Sequence, residues 1–89
     1  MNTFVPWEVR LAESARKSLD GIPAADRLRV EAVLKEMAVN PFQGDIKALR
    51  GREKTFRRRV GAWRIFFFRV QYERGIVVTA IERRTSTTY

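Results

Sequence analysis

The chain has 89 residues, 45% of them hydrophobic, with eighteen Lys/Arg against ten Asp/Glu and a formal net charge of +8, which is the composition of one small, basic, globular domain. It contains neither His nor Cys, which excludes imidazole general-base chemistry, thiolate or imidazole metal centres and disulfides. No apolar run approaches membrane-spanning length and the N-terminus lacks the character of a signal peptide, so the expectation is a soluble cytoplasmic protein with no membrane partner. The charge is also uneven. Residues 1–46 carry six Lys/Arg and seven Asp/Glu, whereas residues 47–89 carry twelve and three. A strongly cationic half points to a polyanion, either nucleic acid, an acidic protein or an anionic membrane face. A solvated basic surface that only aids solubility is the plainer alternative.

In chain order, Thr3-Phe4-Val5 is short and β-prone, and Pro6 ends it, so a first strand is expected there. From Trp7 or Glu8 the pattern reads as helical. Leu11, Ala12, Ala15, Leu19 and Ile22 recur at three- and four-residue spacing, Glu13 and Lys17 form an i,i+4 pair, and Gly21 and Pro23 stop the helix. A second helix follows, with Asp26 in its first turn, an apolar stripe of Val30, Val33, Leu34 and Met37, and an end at Asn40-Pro41. The short joint between them predicts an antiparallel helical hairpin.

Residues 40–53 read as a loop, with Leu49 anchoring it to the core and Lys47, Arg50 and Arg52 adding charge. The period then switches to two. Strands are expected at about 54–60, 63–70 and 75–82, with turns at Gly61-Ala62 and Glu73-Arg74-Gly75. The last two strands are apolar on both faces, which marks them as central. Trp63, Ile65 and Phe67 are expected in the core, and the run Phe66-Phe67-Phe68 breaks alternation, which predicts a β-bulge near it. The fold class is therefore α+β: an N-terminal strand, a helical hairpin, then a three-strand antiparallel meander, all in one domain spanning 1–89.

In the first long strand Thr55, Arg57 and Arg59 share one face, and Phe56, Arg58 and Val60 share the other, where Arg58 interrupts an apolar surface. Arg64 follows the turn and can lie beside the arginines of the neighbouring strand. Several guanidiniums on one sheet face repel each other unless an anion such as a phosphate lies between them. Arginine heads fanned into water are the other reading. Both stay open on the residues alone.

The order of elements resembles the RelE/ParE toxin superfamily, and short motifs carry the likeness along nearly the whole chain. Leu19-Asp20-Gly21-Ile22-Pro23 resembles the family's exit from the first helix. Asn40-Pro41 followed by Lys47-Ala48-Leu49-Arg50-Gly51 is similar to its central loop. Arg57-Arg58-Arg59-Val60-Gly61-Ala62-Trp63-Arg64-Ile65 resembles the family's basic strand, turn and following strand, and Ile81, Arg83 or Arg84, and Tyr89 resemble its closing strand and tail.

The resemblance implies the toxin of a type II toxin–antitoxin system, held inactive by an acidic antitoxin that wraps it. It implies one of two activities: a metal- and cofactor-free endoribonuclease that cuts messenger RNA on the ribosome, or a ParE-like inhibitor of DNA gyrase without nuclease activity. A non-catalytic basic nucleic-acid-binding module is a third reading.

Carried over residue by residue, Arg64 and Arg83 would stabilise charge on the phosphoryl oxygens, and Arg57 and Arg59 would position the RNA backbone. Arg84 is the alternative to Arg83. Tyr89 would act as base, its phenol acidified by surrounding cations, or would stack on a nucleobase; at a chain terminus fraying is the alternative. Lys54 would bind substrate and serve as a reserve base. The chain departs from the pattern at Thr55 and Arg57, where the best-known nucleases carry Lys, and at Arg58, where the family prefers an aliphatic residue.

Overall fold

The computed structural model describes residues 5–84. Its elements run β1 (Glu8–Leu11), α1 (Glu13–Gly21), α2 (Ala24–Val39), β2 (Ile46–Ala48), β3 (Thr55–Val60), β4 (Trp63–Arg69) and β5 (Gly75–Arg83). The five strands form one sheet in the order β1-β5-β4-β3-β2. β1 runs parallel to β5, and every other pair is antiparallel. This is the α+β class read from the sequence.

Two features depart from the sequence reading. A strand at Glu8–Leu11 lies where the helix was expected to begin, and the helix starts only at Glu13; the strand expected at Thr3-Phe4-Val5 falls, but for Val5, outside the described residues. Glu-Val-Arg-Leu alternates exposed and half-buried residues, a period of two embedded in a window whose longer spacing looks helical. Its backbone partners settle the matter: the Glu8 N–H donates to the Arg74 carbonyl at 2.8 Å, and the Ala12 N–H donates to the Val78 carbonyl at 2.8 Å. The second departure is β2, which lies inside the expected 40–53 loop. Three residues carry no strand periodicity, but they close the otherwise free edge of β3 through the pairs Ile46–Arg58, Lys47–Arg57 and Ala48–Phe56.

One face of the sheet meets the helices. Ile65, Phe67, Ile76, Val78 and Ile81 project from it and are buried with Ala15 and Ile22 from the α1 segment and Val30 and Met37 from α2. Phe56, Val60 and Trp63 complete this surface. The Trp63 indole N–H donates to Asp26 Oδ2 at 3.1 Å, which ties β4 to the first turn of α2 and satisfies the polar end of a half-buried ring. The two helices are joined by Ile22-Pro23, with the Ile22 N–H bonded to the Leu19 carbonyl.

The register shifts between Phe66 and Phe67, as the phenylalanine run implied. The extra residue is Thr79 of β5: Phe66 pairs with Ala80 and Phe67 pairs with Val78. The Thr79 hydroxyl donates to the Phe66 carbonyl at 3.3 Å, and the Ser14 hydroxyl donates to the Thr79 carbonyl at 2.8 Å. The bulge lets Val78 and Ile81, three apart, both face the helices. It also leaves Phe66 on the opposite face, while Phe67 is fully buried.

The β3–β4 turn is tight. Gly61 has φ +58°, a backbone region that glycine enters without a Cβ penalty. A Cβ added there would stand 3.1 Å from Arg29 Nη1. No helix among the described residues is long and apolar enough to cross a membrane.

Candidate functional site

The face of the sheet away from the helices carries the charge. Strand alternation and the β3–β4 register place Thr55, Arg57 and Arg59 opposite Phe68, Phe66 and Arg64 on this face. Arg59 and Arg64 are direct cross-strand neighbours, so their Cβ atoms stand about 5 Å apart. Lys47 of β2 pairs with Arg57 and adds a fourth cation. On the other flank Glu82 of β5 pairs with Arg64.

Arg57 is nearly buried, with 12% of its side chain exposed. Burying a guanidinium is costly unless its N–H groups find acceptors. Here they find few. Arg57 Nη1, Arg59 Nε and Arg64 Nε are buried and lack a hydrogen-bond partner among the described residues. The nearest acid is Asp45, just before β2. Its Oδ1 lies 4.0 Å from Arg57 Nη2 and its Oδ2 lies 3.8 Å from Arg59 Nε. One carboxylate thus leans on two arginines at ion-pair range without hydrogen-bonding either nitrogen. An anion with several oxygens, such as a phosphodiester, matches that unsatisfied donor set better than a single carboxylate at 4 Å.

Beside the cations the same face forms a concavity of about 180 Å³, lined by Leu49, Arg52, Thr55, Phe66, Thr79, Ala80 and Glu82. Leu49, expected to anchor its loop to the core, faces this hollow instead. Its N–H bonds the Thr55 carbonyl at 2.9 Å, which fastens the 49–54 segment across the end of β3. Arg52 and Glu82 bring a donor and an acceptor to the wall, and Phe66 brings an aromatic face.

Arg58 points the other way. It sits on the helix-facing side, opposite Ile65, with 12% of its side chain exposed. Its Nη1 donates to the Gln43 carbonyl, and its Nη2 lies 3.4 Å from Glu36 Oε2 on α2. The guanidinium lies against Gly44, whose φ is +96°, and a Cβ there would fall 2.4 Å from Arg58 Cζ. The charge that interrupts an apolar strand face is therefore met by a helix carboxylate, a loop carbonyl and a glycine-shaped space, although its Nε is, like the nitrogens of the charged face, buried without a partner among the described residues. It takes no part in the charged face.

The remaining candidates are distributed as follows. Arg83 pairs with Trp63, and so alternates to the helix side at the exposed end of β5. Arg84, one residue on, alternates to the Arg64 side, and its N–H extends the ladder to the Ala62 carbonyl at 2.6 Å. Lys54 is at the far end of β3, with φ +58°, and lines a different cavity with Phe42, Phe56, Arg69, Gln71 and Tyr72. Tyr89 lies outside the described residues. The structure therefore gathers Arg57, Arg59 and Arg64 on one face, puts Arg84 on the same side by register, and separates Lys54 from them.

Sequence reasoning missed Asp45 and Glu82, and it named Arg52 only as loop charge and Phe66 only as part of the bulged run. Glu82 and Phe66 follow from alternation once the bulge is placed at Thr79. Asp45 and Arg52 lie outside the long strands and left no periodic signal.

Comparison with known proteins identifies relatives by structure. No family model matches the sequence, and no curated protein matches it. Among solved structures, the RelBE2 toxin–antitoxin complex of Mycobacterium tuberculosis contains a chain that superposes with a TM-score of 0.77 at 26% identity, covering 90% of this chain and 100% of that one. The RelE–RelB complex of Pyrococcus horikoshii OT3 matches with a TM-score of 0.78 at 19% identity, over 91% of this chain and 98% of that one. The isolated RelE toxin of E. coli matches with a TM-score of 0.79 at 16% identity, over 91% and 87%. The fold shared over nine-tenths of the chain is that of the RelE-like toxin superfamily.

Proposed function

We propose that the chain is the toxin of a type II toxin–antitoxin pair and acts as a ribosome-dependent messenger-RNA endoribonuclease in the cytoplasm. The observation that carries this reading is the cluster of Arg57, Arg59 and Arg64, with buried guanidinium nitrogens that lack partners among the described residues, on the sheet face left open by the helices. The likeness to RelE chains, several of them solved in complex with RelB antitoxins, supports it.

In this reading the RNA 2′-oxygen attacks the adjacent phosphorus and the P–O5′ bond breaks. The products are a 2′,3′-cyclic phosphate and a 5′-hydroxyl. Arg64, with Arg84 from the end of β5, stabilises charge that develops on the phosphoryl oxygens, while Arg57 and Arg59 hold the backbone; Arg83, which alternates to the helix side with Trp63, is set aside. An arginine cannot give up its proton at workable pH, so the acceptor for the 2′-hydroxyl proton is another group. Glu82, opposite Arg64 and on the wall of the concavity, is a candidate within the described residues. Tyr89 of the tail is the second. A proton returned to O5′ completes the exchange. The cognate antitoxin would neutralise the same basic face, which suits an acidic segment.

The test is cleavage of message on programmed ribosomes by the purified chain. Replacing one preorganised donor at a developing oxyanion costs about 10²–10³ in rate, and Arg64→Ala is expected to lose that much with its circular dichroism unchanged. Undiminished cleavage by Arg64→Ala removes Arg64 from the site. Inhibition of gyrase supercoiling by the wild-type chain, with no cleavage of ribosome-bound message, decides for the ParE-like reading.

A further inference from the structure

We propose a second ligand site at the opposite end of the sheet, which takes one nucleotide of single-stranded RNA by stacking its base on aromatic rings and binding its phosphate through Lys54 and Arg69. The cavity is about 450 Å³ and is lined by Phe42, Lys54, Phe56, Arg69, Gln71 and Tyr72. It contains two cations, three aromatic rings and no carboxylate. This is the pairing of π-faces and positive charge that suits an unstacked base and its phosphate.

Its floor is rigid. Phe42 meets Phe56 edge-on at 5.2 Å between centroids, and Phe56 stacks at 5.5 Å on Phe67, which is fully buried. Trp7 packs edge-on against Phe42 at 5.5 Å, and the Arg69 guanidinium lies 5.3 Å from the Trp7 ring centroid. Arg69 is thereby held in place by a cation–π contact while it lines the cavity. Arg74 lies over the same ring at 4.9 Å and adds to the positive field.

The rim is unusual in its backbone. Lys54 has φ +58° and Tyr72 has φ +67°, the two non-glycine residues with positive φ among those described, and both line this one cavity. Such conformations are sterically disfavoured for residues with a Cβ and gather at ligand sites. Tyr72 is also 94% exposed. A large aromatic side chain held out in water on a strained turn contributes nothing to the core, but it offers a free stacking face. The site lies roughly 17 Å from Arg59 along β3, from five residues at about 3.3 Å each, and its Phe56 and Arg69 alternate to the helix side, away from the arginine face, so one RNA strand would have to pass around the end of the sheet to reach both.

The identity of the ligand rests on the RNA reading above, but the test separates the two. Adenosine 5′-monophosphate is titrated into the full chain and into its Arg64→Ala variant, and backbone amide shifts are followed by NMR. In both proteins the shifts are expected at Tyr72, Lys54 and Arg69, and inorganic phosphate alone is expected to leave Tyr72 unmoved. Tyr72→Asn keeps a residue tolerant of positive φ and is expected to weaken the nucleotide about tenfold, the worth of one base–aromatic stack. Lys54→Gln is expected to weaken it severalfold. Nucleotide-induced shifts confined to Arg57, Arg59 and Arg64, or equal affinity in Tyr72→Asn, would overturn the second site. Loss of cleavage in Arg64→Ala with the Tyr72 shifts retained upholds both sites. Cleavage retained in Arg64→Ala with those shifts present sinks the clamp alone.

Discussion

Asp45 is the residue on which the charged face turns. It is 56% exposed and leans on Arg57 and Arg59 at 4.0 and 3.8 Å, distances at which an ion pair is weak and the carboxylate is readily displaced. A phosphate arriving at these arginines competes with it. Asp45→Asn removes the competitor and keeps the shape. It is expected to raise affinity for short single-stranded RNA by at most about fivefold, the equivalent of an exposed ion pair of up to ~1 kcal/mol, as read by fluorescence anisotropy; weaker binding in the variant would show that Asp45 instead positions the arginines. The neighbouring Arg58 follows a different logic. Its partners are Glu36, the Gln43 carbonyl and the space above Gly44, so three consecutive arginines face two different environments. Alternation assigned them to opposite faces from the sequence. That the middle one would be paired could not be read there, because Glu36 is twenty-two residues away on a helix.

At the scale of elements, β4 links the two faces. Ile65 and Phe67 anchor it in the core with no exposed surface, and Arg64 and Phe66 on the same seven-residue strand face the concavity side. The rigidity of the charged face therefore depends on the apolar one. Phe67→Ala deletes the largest fully buried side chain and the ring on which Phe56 stacks. Such a truncation costs about 3–5 kcal/mol, a large share of the ~5–15 kcal/mol expected for a whole domain. Urea denaturation should show a midpoint shifted sharply downward, and a loss below about 1 kcal/mol would mean that the site collapses without a cavity. The long strands β3, β4 and β5 were legible because β3 alternates with period two and β4 and β5 are β-branched and aromatic runs of seven and nine residues between turn signals. β1 and β2, of four and three residues, were not. Strands so short are formed by the edge they pair with and not by their own periodicity.

For the whole molecule, the net charge of +8 means that the proposed association with RNA should be salt-dependent. If Lys47, Arg57, Arg59 and Arg64 each neutralise a phosphate, the logarithm of affinity for single-stranded RNA should fall with the logarithm of salt at a slope of about −3, and Arg64→Ala should flatten it by about 0.7. A slope near zero would rule out the charged face as the RNA surface. The asymmetry behind this was written in the chain. An acid-balanced first half supplies two helices and β1, and a basic second half supplies the three long strands. Composition also excluded His and Cys chemistry, and the hydrophobic periods set the α+β class and the core residues Ile65 and Phe67. Only the tertiary structure decided which arginines meet. Cross-strand register brought Arg59 to Arg64 and Glu82 to Arg64, one bulged residue at Thr79 put Phe66 on the charged face, and a positive-φ turn moved Lys54 to another cavity. These are long-range matters of pairing and register, set by hydrogen bonds between residues distant in sequence. Local residue patterns carry no record of which partner a strand edge will find.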